Sequence, residues 1–191
     1  MASPVAELLA ALGSALQRIH VPWYLFGAQA ALLYGAARLT ADVDVTVDLA
    51  DCPTAELVDA LTAGGFRLRV RDVDDFVART RVLPLEHVAT GMPLDIVLAG
   101  PGLETLFFER RRDSVIEDVR VSVASPEDLV VMKVLAGRPK DADDALAILA
   151  AQESLDVRTI RETLGLLERA LDQSDLLPTF ETLLERSRRT T

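Results

Sequence analysis

In Arg38-Leu39-Thr40-Ala41-Asp42-Val43-Asp44-Val45-Thr46-Val47 valine alternates with polar residues, the pattern of a β-strand with one covered face. Val43, Val45 and Val47 then face a core, while Asp42, Asp44, Thr46 and Asp48 share the other side. Two carboxylates on one side of a ribbon stand about 7 Å apart. Unpaired, they repel and raise each other's pKa; a hard divalent cation between them removes that penalty and takes oxygen ligands from both. The plainer reading of an isolated Asp-x-Asp pair is a solvated strand face.

The surroundings of the pair add to this. Upstream, Gly27-Ala28 ends the apolar strand Trp23-Tyr24-Leu25-Phe26 and precedes a helical run from Gln29 to Tyr34. Glycine at such a turn lets backbone approach a ligand closely, and free amides at a helix start attract an anion. Downstream, Met92-Pro93-Leu94-Asp95-Ile96-Val97-Leu98 lies between Gly91 and Gly100-Pro101 and reads as a buried strand carrying one charge. A lone aspartate there is costly unless paired or metal-bound. If the strands are neighbours, Asp95 joins Asp42 and Asp44 and can take a proton from an attacking hydroxyl; the pattern alone leaves the pairing open. Further on, Ser125-Pro126-Glu127-Asp128 starts a helix that should stop at Gly137. Within its apolar run Lys133 either snorkels outward or reaches into a site.

Glycine turn, helix, Arg38, Thr40 and Asp42-Val43-Asp44, in that order, resemble the nucleotidyltransferase superfamily with the DNA polymerase beta-like fold. Gly27 through Gly35, followed by Arg38 and Thr40, looks most like the minimal bacterial branch of AbiEii-type toxins. The run from Lys133 through Arg138 and Lys140 to Asp141 and Asp144 is similar to the second half of that branch's signature. The resemblance implies an α+β fold, a mixed sheet flanked by helices with a C-terminal helical bundle. It also implies Mg2+ or Mn2+ on Asp42, Asp44 and Asp95, and catalysis by these three with Lys133. A nucleoside triphosphate would be bound by Gly27, Ala28, Arg38, Thr40, Lys133, Asp141 and Asp144. The acceptor would be RNA, a protein or a small molecule: a tRNA end or a protein for a toxin, with a cognate antitoxin, or a cationic antibiotic for a resistance enzyme. One departure is Ala28, where the family carries Gly or Ser; alanine offers the phosphates only its amide, and a non-catalytic binding relative is the third reading.

Composition bounds these readings. The chain has 191 residues, half of them hydrophobic, ample for a core. No apolar run approaches the roughly 20 residues of a membrane span, and no export signal is evident, so a cytoplasmic protein without a membrane partner is expected. The single cysteine, Cys52, excludes an internal disulfide, and two histidines do not make a zinc site. The net charge of −10 disfavours general adhesion to nucleic acid. Arg67, Arg69, Arg71, Arg79 and Arg81, and separately Arg110, Arg111 and Arg112, would each form a basic patch or a solvated face.

The expected division is an α/β core over 1–124 and helices over 125–191 that complete the nucleotide site, with no linker at the boundary. Helices are expected from Ser3-Pro4, over 53–63, 72–78 and 101–111, and over about 126–136, 140–151, 156–171 and 174–188. Strands are expected at 66–70, 79–83 and 119–123, besides those of Phe26, Asp44 and Asp95.

Overall fold

Val43, Val45 and Val47 are fully buried, and the strand they define, β2 (Val43–Val47), is central to a seven-stranded sheet. The computed structural model describes residues 2–37, 40–100 and 102–190. Two compact units result: Met1–Gln29 with Thr40–Ala124, and Ala30–Leu39 with Ser125–Thr191.

The first unit holds β1 (Trp23–Phe26), β2, β3 (Phe66–Leu68), β4 (Val82–His87), β5 (Met92–Leu98), β6 (Arg112–Ile116) and β7 (Val119–Val123). They lie in the order β3-β4-β5-β2-β1-β7-β6. β2 is antiparallel to β1 and parallel to β5; β1 is parallel to β7, and the remaining pairs are antiparallel. One register row runs Leu83, Ile96, Val45, Leu25, Val123, and a second runs Leu85, Leu94, Val43. Every one of these side chains is 0% exposed, each contributing about 1.5–3 kcal/mol relative to exposure. α1 (Pro4–Arg18), which brings buried Leu8, Leu9, Leu12 and Leu16, packs on β7, β5 and α3 (Thr54–Ala63). Its start follows the sequence: Ser3 Oγ accepts the Ala6 N–H at 3.2 Å and Pro4 opens the first turn.

The opposite sheet face is covered in part by α5 (Leu103–Arg110). Tyr24, in register with Thr46, meets Phe108 edge-on with ring centroids 4.8 Å apart, and both Tyr24 and Thr46 are buried. The adjacent row on this face reads Phe26, Asp44, Asp95, Pro84. α2 (Gly27–Leu33) follows β1 directly; its residues 27–29 belong to the first unit and the rest to the second.

In the second unit α6 (Pro126–Ala136) packs on α7 (Pro139–Ala151), α8 (Val157–Leu171) and α9 (Leu176–Thr190). Leu129, Val130, Ile148, Ile160, Leu164 and Phe180 are its fully buried centre. Ser125 Oγ accepts the Asp128 N–H at 3.1 Å, and Gly137, at φ +64, ends α6 as its position suggested. Gln152 donates to the Tyr34 carbonyl at 3.2 Å, tying residues 30–37 to this unit.

Three elements differ from expectation. The strand expected at 79–83 is displaced, because α4 (Val73–Thr80) runs on to a left-handed Arg81 whose N–H closes on Val77 O at 2.8 Å. β4 begins only at Val82 and continues through Pro84, which signals a break in sequence; its carbonyl accepts the Arg69 N–H at 3.0 Å. β3 correspondingly stops at Leu68. β6 was not expected at all: as an edge strand with no buried residue, it shows no apolar alternation. Pro101, the expected start of α5, lies outside the described residues.

Candidate active site

The parallel register of β2 and β5 sets Asp44 directly beside Asp95, on strands about 4.8 Å apart. Backbone pairing alone therefore brings two of the three sequence-identified carboxylates together. Asp44 also lies against Gly27, which sits at φ +69; a Cβ added there would fall 2.8 Å from Asp44 Cγ and 2.9 Å from its Cβ. The glycine makes room for this carboxylate, whereas its position in sequence suggested room for a ligand. Asp42 is exposed just ahead of β2 and accepts a hydrogen bond from the Thr40 hydroxyl. The Thr40 carbonyl in turn accepts the Gln29 amide at 3.4 Å, so the start of α2 and the approach to β2 are joined. Ala28 is buried, and Arg38 lies outside the described residues.

Asp95 is paired with Arg69, which sequence reading places only as one member of a basic group. Arg69 donates to Asp95 Oδ1, with about a third of each side chain exposed. The only signal was alternation: Arg67 and Arg69 project to one side of the Phe66–Leu68 segment. Other members of this basic group are also engaged. Arg67 bonds Glu86 at 2.7 Å, Arg79 bonds Asp75 at 3.0 Å, and Arg81 donates to the Leu98 carbonyl at 2.6 Å. The group is thus an interleaved set of ion pairs more than a free positive patch. Arg110 and Arg111 lie over the Phe107 and Phe108 rings.

Carboxylate oxygens are the donors that Mg2+ or Mn2+ takes. Among the described residues no three His, Cys, Asp or Glu side chains are grouped so as to hold a metal ion, and one oxygen of Asp95 is engaged by Arg69. The carboxylates of Asp42 and Asp44 are of the donor type that suits a divalent cation.

Lys133 lies in the second unit as one of a closed buried group. Its ammonium donates to Asp144 at 2.7 Å and Asp141 at 3.1 Å, with the Lys133 side chain 6% exposed. It does not snorkel. Arg138 adds a second cation to Asp141. Burial pushes the Asp141 carboxyl up, but hydrogen bonds from Arg138 and Lys133 outweigh it and hold the group below its ordinary value. An ammonium has three N–H donors; two are accounted for by these carboxylates, and both helices α6 and α7 depend on them.

The remaining reactive residue types have local roles. Burial and the Glu56 carboxylate raise the Cys52 thiol's pKa, the reverse of what a nucleophile needs. His87 is buried against Phe66 and bonds Thr90 at 2.9 Å.

Residues 4–167 match a family model described as "Nucleotidyltransferase of unknown function (DUF6036)". The antibiotic-resistance factor ANT(2'')-Ia is similar in structure at TM-score 0.61 and 15% identity, over 90% of this chain and 95% of that one. An antigenic nucleotidyltransferase-like protein from Paracoccidioides brasiliensis aligns at 0.54 and 17% identity, over 93% and 90%. The lincosamide antibiotic adenylyltransferase LnuA, lincomycin-bound, aligns at 0.53 and 16% identity, over 76% and 96%. At these identities the likeness is one of fold: an α+β mixed sheet with flanking helices, the class expected from the sequence. No curated protein matches the sequence.

Proposed function

This chain belongs to the DUF6036 family of nucleotidyltransferases, and we propose that it moves a nucleoside monophosphate from a nucleoside triphosphate to an acceptor hydroxyl, releasing pyrophosphate. The observation that carries this reading is the in-register pair Asp44 and Asp95, with Gly27 against Asp44. Asp42 and Asp44 would hold Mg2+ or Mn2+, which when bound supplies charge neutralisation at the phosphates and at the attacking and leaving oxygens. Asp95 would accept the acceptor's proton, so that its oxygen bonds to the α-phosphorus as the bond to pyrophosphate breaks. Gly27 and Ala28 offer backbone amides to the phosphates, and Thr40 orients Asp42. By family resemblance Lys133, Asp141, Asp144 and Arg38 are the signature residues assigned to the donor nucleotide. Dependence on a triphosphate suits a cytoplasmic protein.

A small cationic molecule is the acceptor best suited to this chain. The net charge of −10 disfavours a polyanionic RNA backbone, and the arginines at 67, 69 and 79 already pair with Glu86, Asp95 and Asp75. The names of ANT(2'')-Ia and LnuA, an antibiotic-resistance factor and a lincosamide antibiotic adenylyltransferase, favour an antibiotic; within that class the net charge favours a cationic one, of aminoglycoside type. The second reading, an AbiEii-like toxin acting on a tRNA end or a protein and held by an antitoxin, rests on the motif from Gly27 to Thr40 and on Lys133 through Asp144. Expression in a susceptible cell separates them: resistance rises for the first, growth stops for the second.

The test of the reaction is transfer of label from α-labelled triphosphates to candidate acceptors. Asp44→Asn, with an unchanged circular dichroism spectrum, should lose at least about a hundredfold in rate. Wild-type transfer by this folded variant would place the chemistry elsewhere.

A further inference from the structure

We infer that Arg69 is the resident counter-ion of Asp95, competing with a divalent cation for its carboxylate, and that recruitment of Asp95 to the cation requires it to let go. The inference rests on the transferase reading of Asp42, Asp44 and Asp95.

Backbone register fixes Asp44 beside Asp95 whether or not a cation is present. Two like charges so placed repel, and the sheet cannot separate them without losing its pairing. Arg69 brings a positive charge to Asp95 from two strands away. Its backbone is anchored, the N–H bonding Pro84 O at 3.0 Å, while its guanidinium reaches Asp95. The residue it must pass is Pro84, which stands opposite Asp95 in the β4–β5 register and offers only a short ring. Arg67, two residues earlier, stands opposite Glu86 and is bonded to it, so it does not substitute for Arg69.

The pairing is built to be reversible. The Arg69 and Asp95 side chains are 37% and 35% exposed, so the ion pair is screened and weakly held compared with a buried one. A guanidinium also recognises phosphate as readily as carboxylate, so an arriving triphosphate gives Arg69 a second anion to move to. Arg69 is accordingly a positioning residue: it keeps Asp95 in place and charge-balanced, and it competes with the cation for the same oxygen.

Binding of Mn2+ alone, followed by the electron paramagnetic resonance signal of free Mn2+ with no nucleotide present, reads this competition directly. Arg69→Ala should bind Mn2+ about fivefold more tightly than wild type, the size of effect expected from removing one partly exposed ion pair. Arg69→Lys, which keeps the charge, should stay near wild type. Arg69→Gln provides the same loss of charge with more of the side chain kept, should the alanine variant fold poorly. Without cation the charge-removing variants should melt below wild type, and added Mn2+ should raise their melting temperatures more. Charge-removing variants that bind Mn2+ no more tightly than wild type, while Asp44→Asn still weakens binding, would overturn the role of Arg69 and leave the transferase site standing. Mn2+ binding indifferent to Asp44→Asn in both the wild-type and Arg69→Gln backgrounds would overturn the site itself.

Discussion

Gly27 is under two constraints at once: its φ of +69 and the Asp44 carboxylate packed against it. An alanine there meets the left-handed backbone penalty and a clash with a side chain that the β2–β5 register holds in place. Gly27→Ala should therefore cost about 1–3 kcal/mol in urea unfolding and also displace Asp44, so that transfer falls in the molecules that stay folded. Stability and transfer equal to wild type would show that the contact is unimportant. At this scale the sequence was informative where periodicity reports side-chain direction. Asp42 and Asp44 stand out because valines alternate with them, and Asp95 because it is the charge in an apolar run. Arg69 did not stand out, since its partner lies across β4, and no local pattern says which strands become neighbours. The freedom of Gly27 from a Cβ is legible from its place between strand and helix, although the atoms it accommodates are those of Asp44.

Helices α6 and α7 show how local signals and long-range charge combine. Ser125, Pro126 and Gly137 made the limits of α6 legible, because capping is short-range chemistry. The interior of that helix was less legible: a lysine in an apolar run has no unique destination until α7 brings Asp141 and Asp144 to it. Arg81 illustrates the converse, as a residue that ends α4 in a left-handed conformation where alternation suggested strand. The Asp141 interaction gives acid stability a definite sign. Burial raises this carboxyl's pKa, but Arg138 and Lys133 lower it by more, so its folded value lies below its unfolded one. Its contribution is then fully present above about pH 4 and is lost as pH falls through the lowered folded value. Thermal melting followed across that acid range should drop for wild type, and Asp141→Asn should flatten the drop while lowering stability at neutral pH. An unchanged acid slope in Asp141→Asn would assign the acid sensitivity to other groups.

For the whole molecule, charge and topology bear on different questions. The mixed sheet and flanking helices were legible as a class through the family resemblance that the order of strand, glycine turn, helix and Asp-x-Asp strand carries. The edge strand β6 was not, since it buries no side chain and its pairing with β7 is a backbone property. Among the described residues no helix is long and apolar enough to cross a membrane. A net charge of −10 attracts cations and repels polyanions over the molecule as a whole. On the function proposed above, cation and donor meet at the carboxylate row. Calorimetric titration with Mg2+ and each of the four triphosphates in turn, on wild type and on folded Asp44→Asn, measures this most directly. Wild type should bind at least one triphosphate in the presence of Mg2+, and Asp44→Asn should bind it at least about tenfold more weakly. Equal binding by the two proteins would contradict a donor site at Asp44.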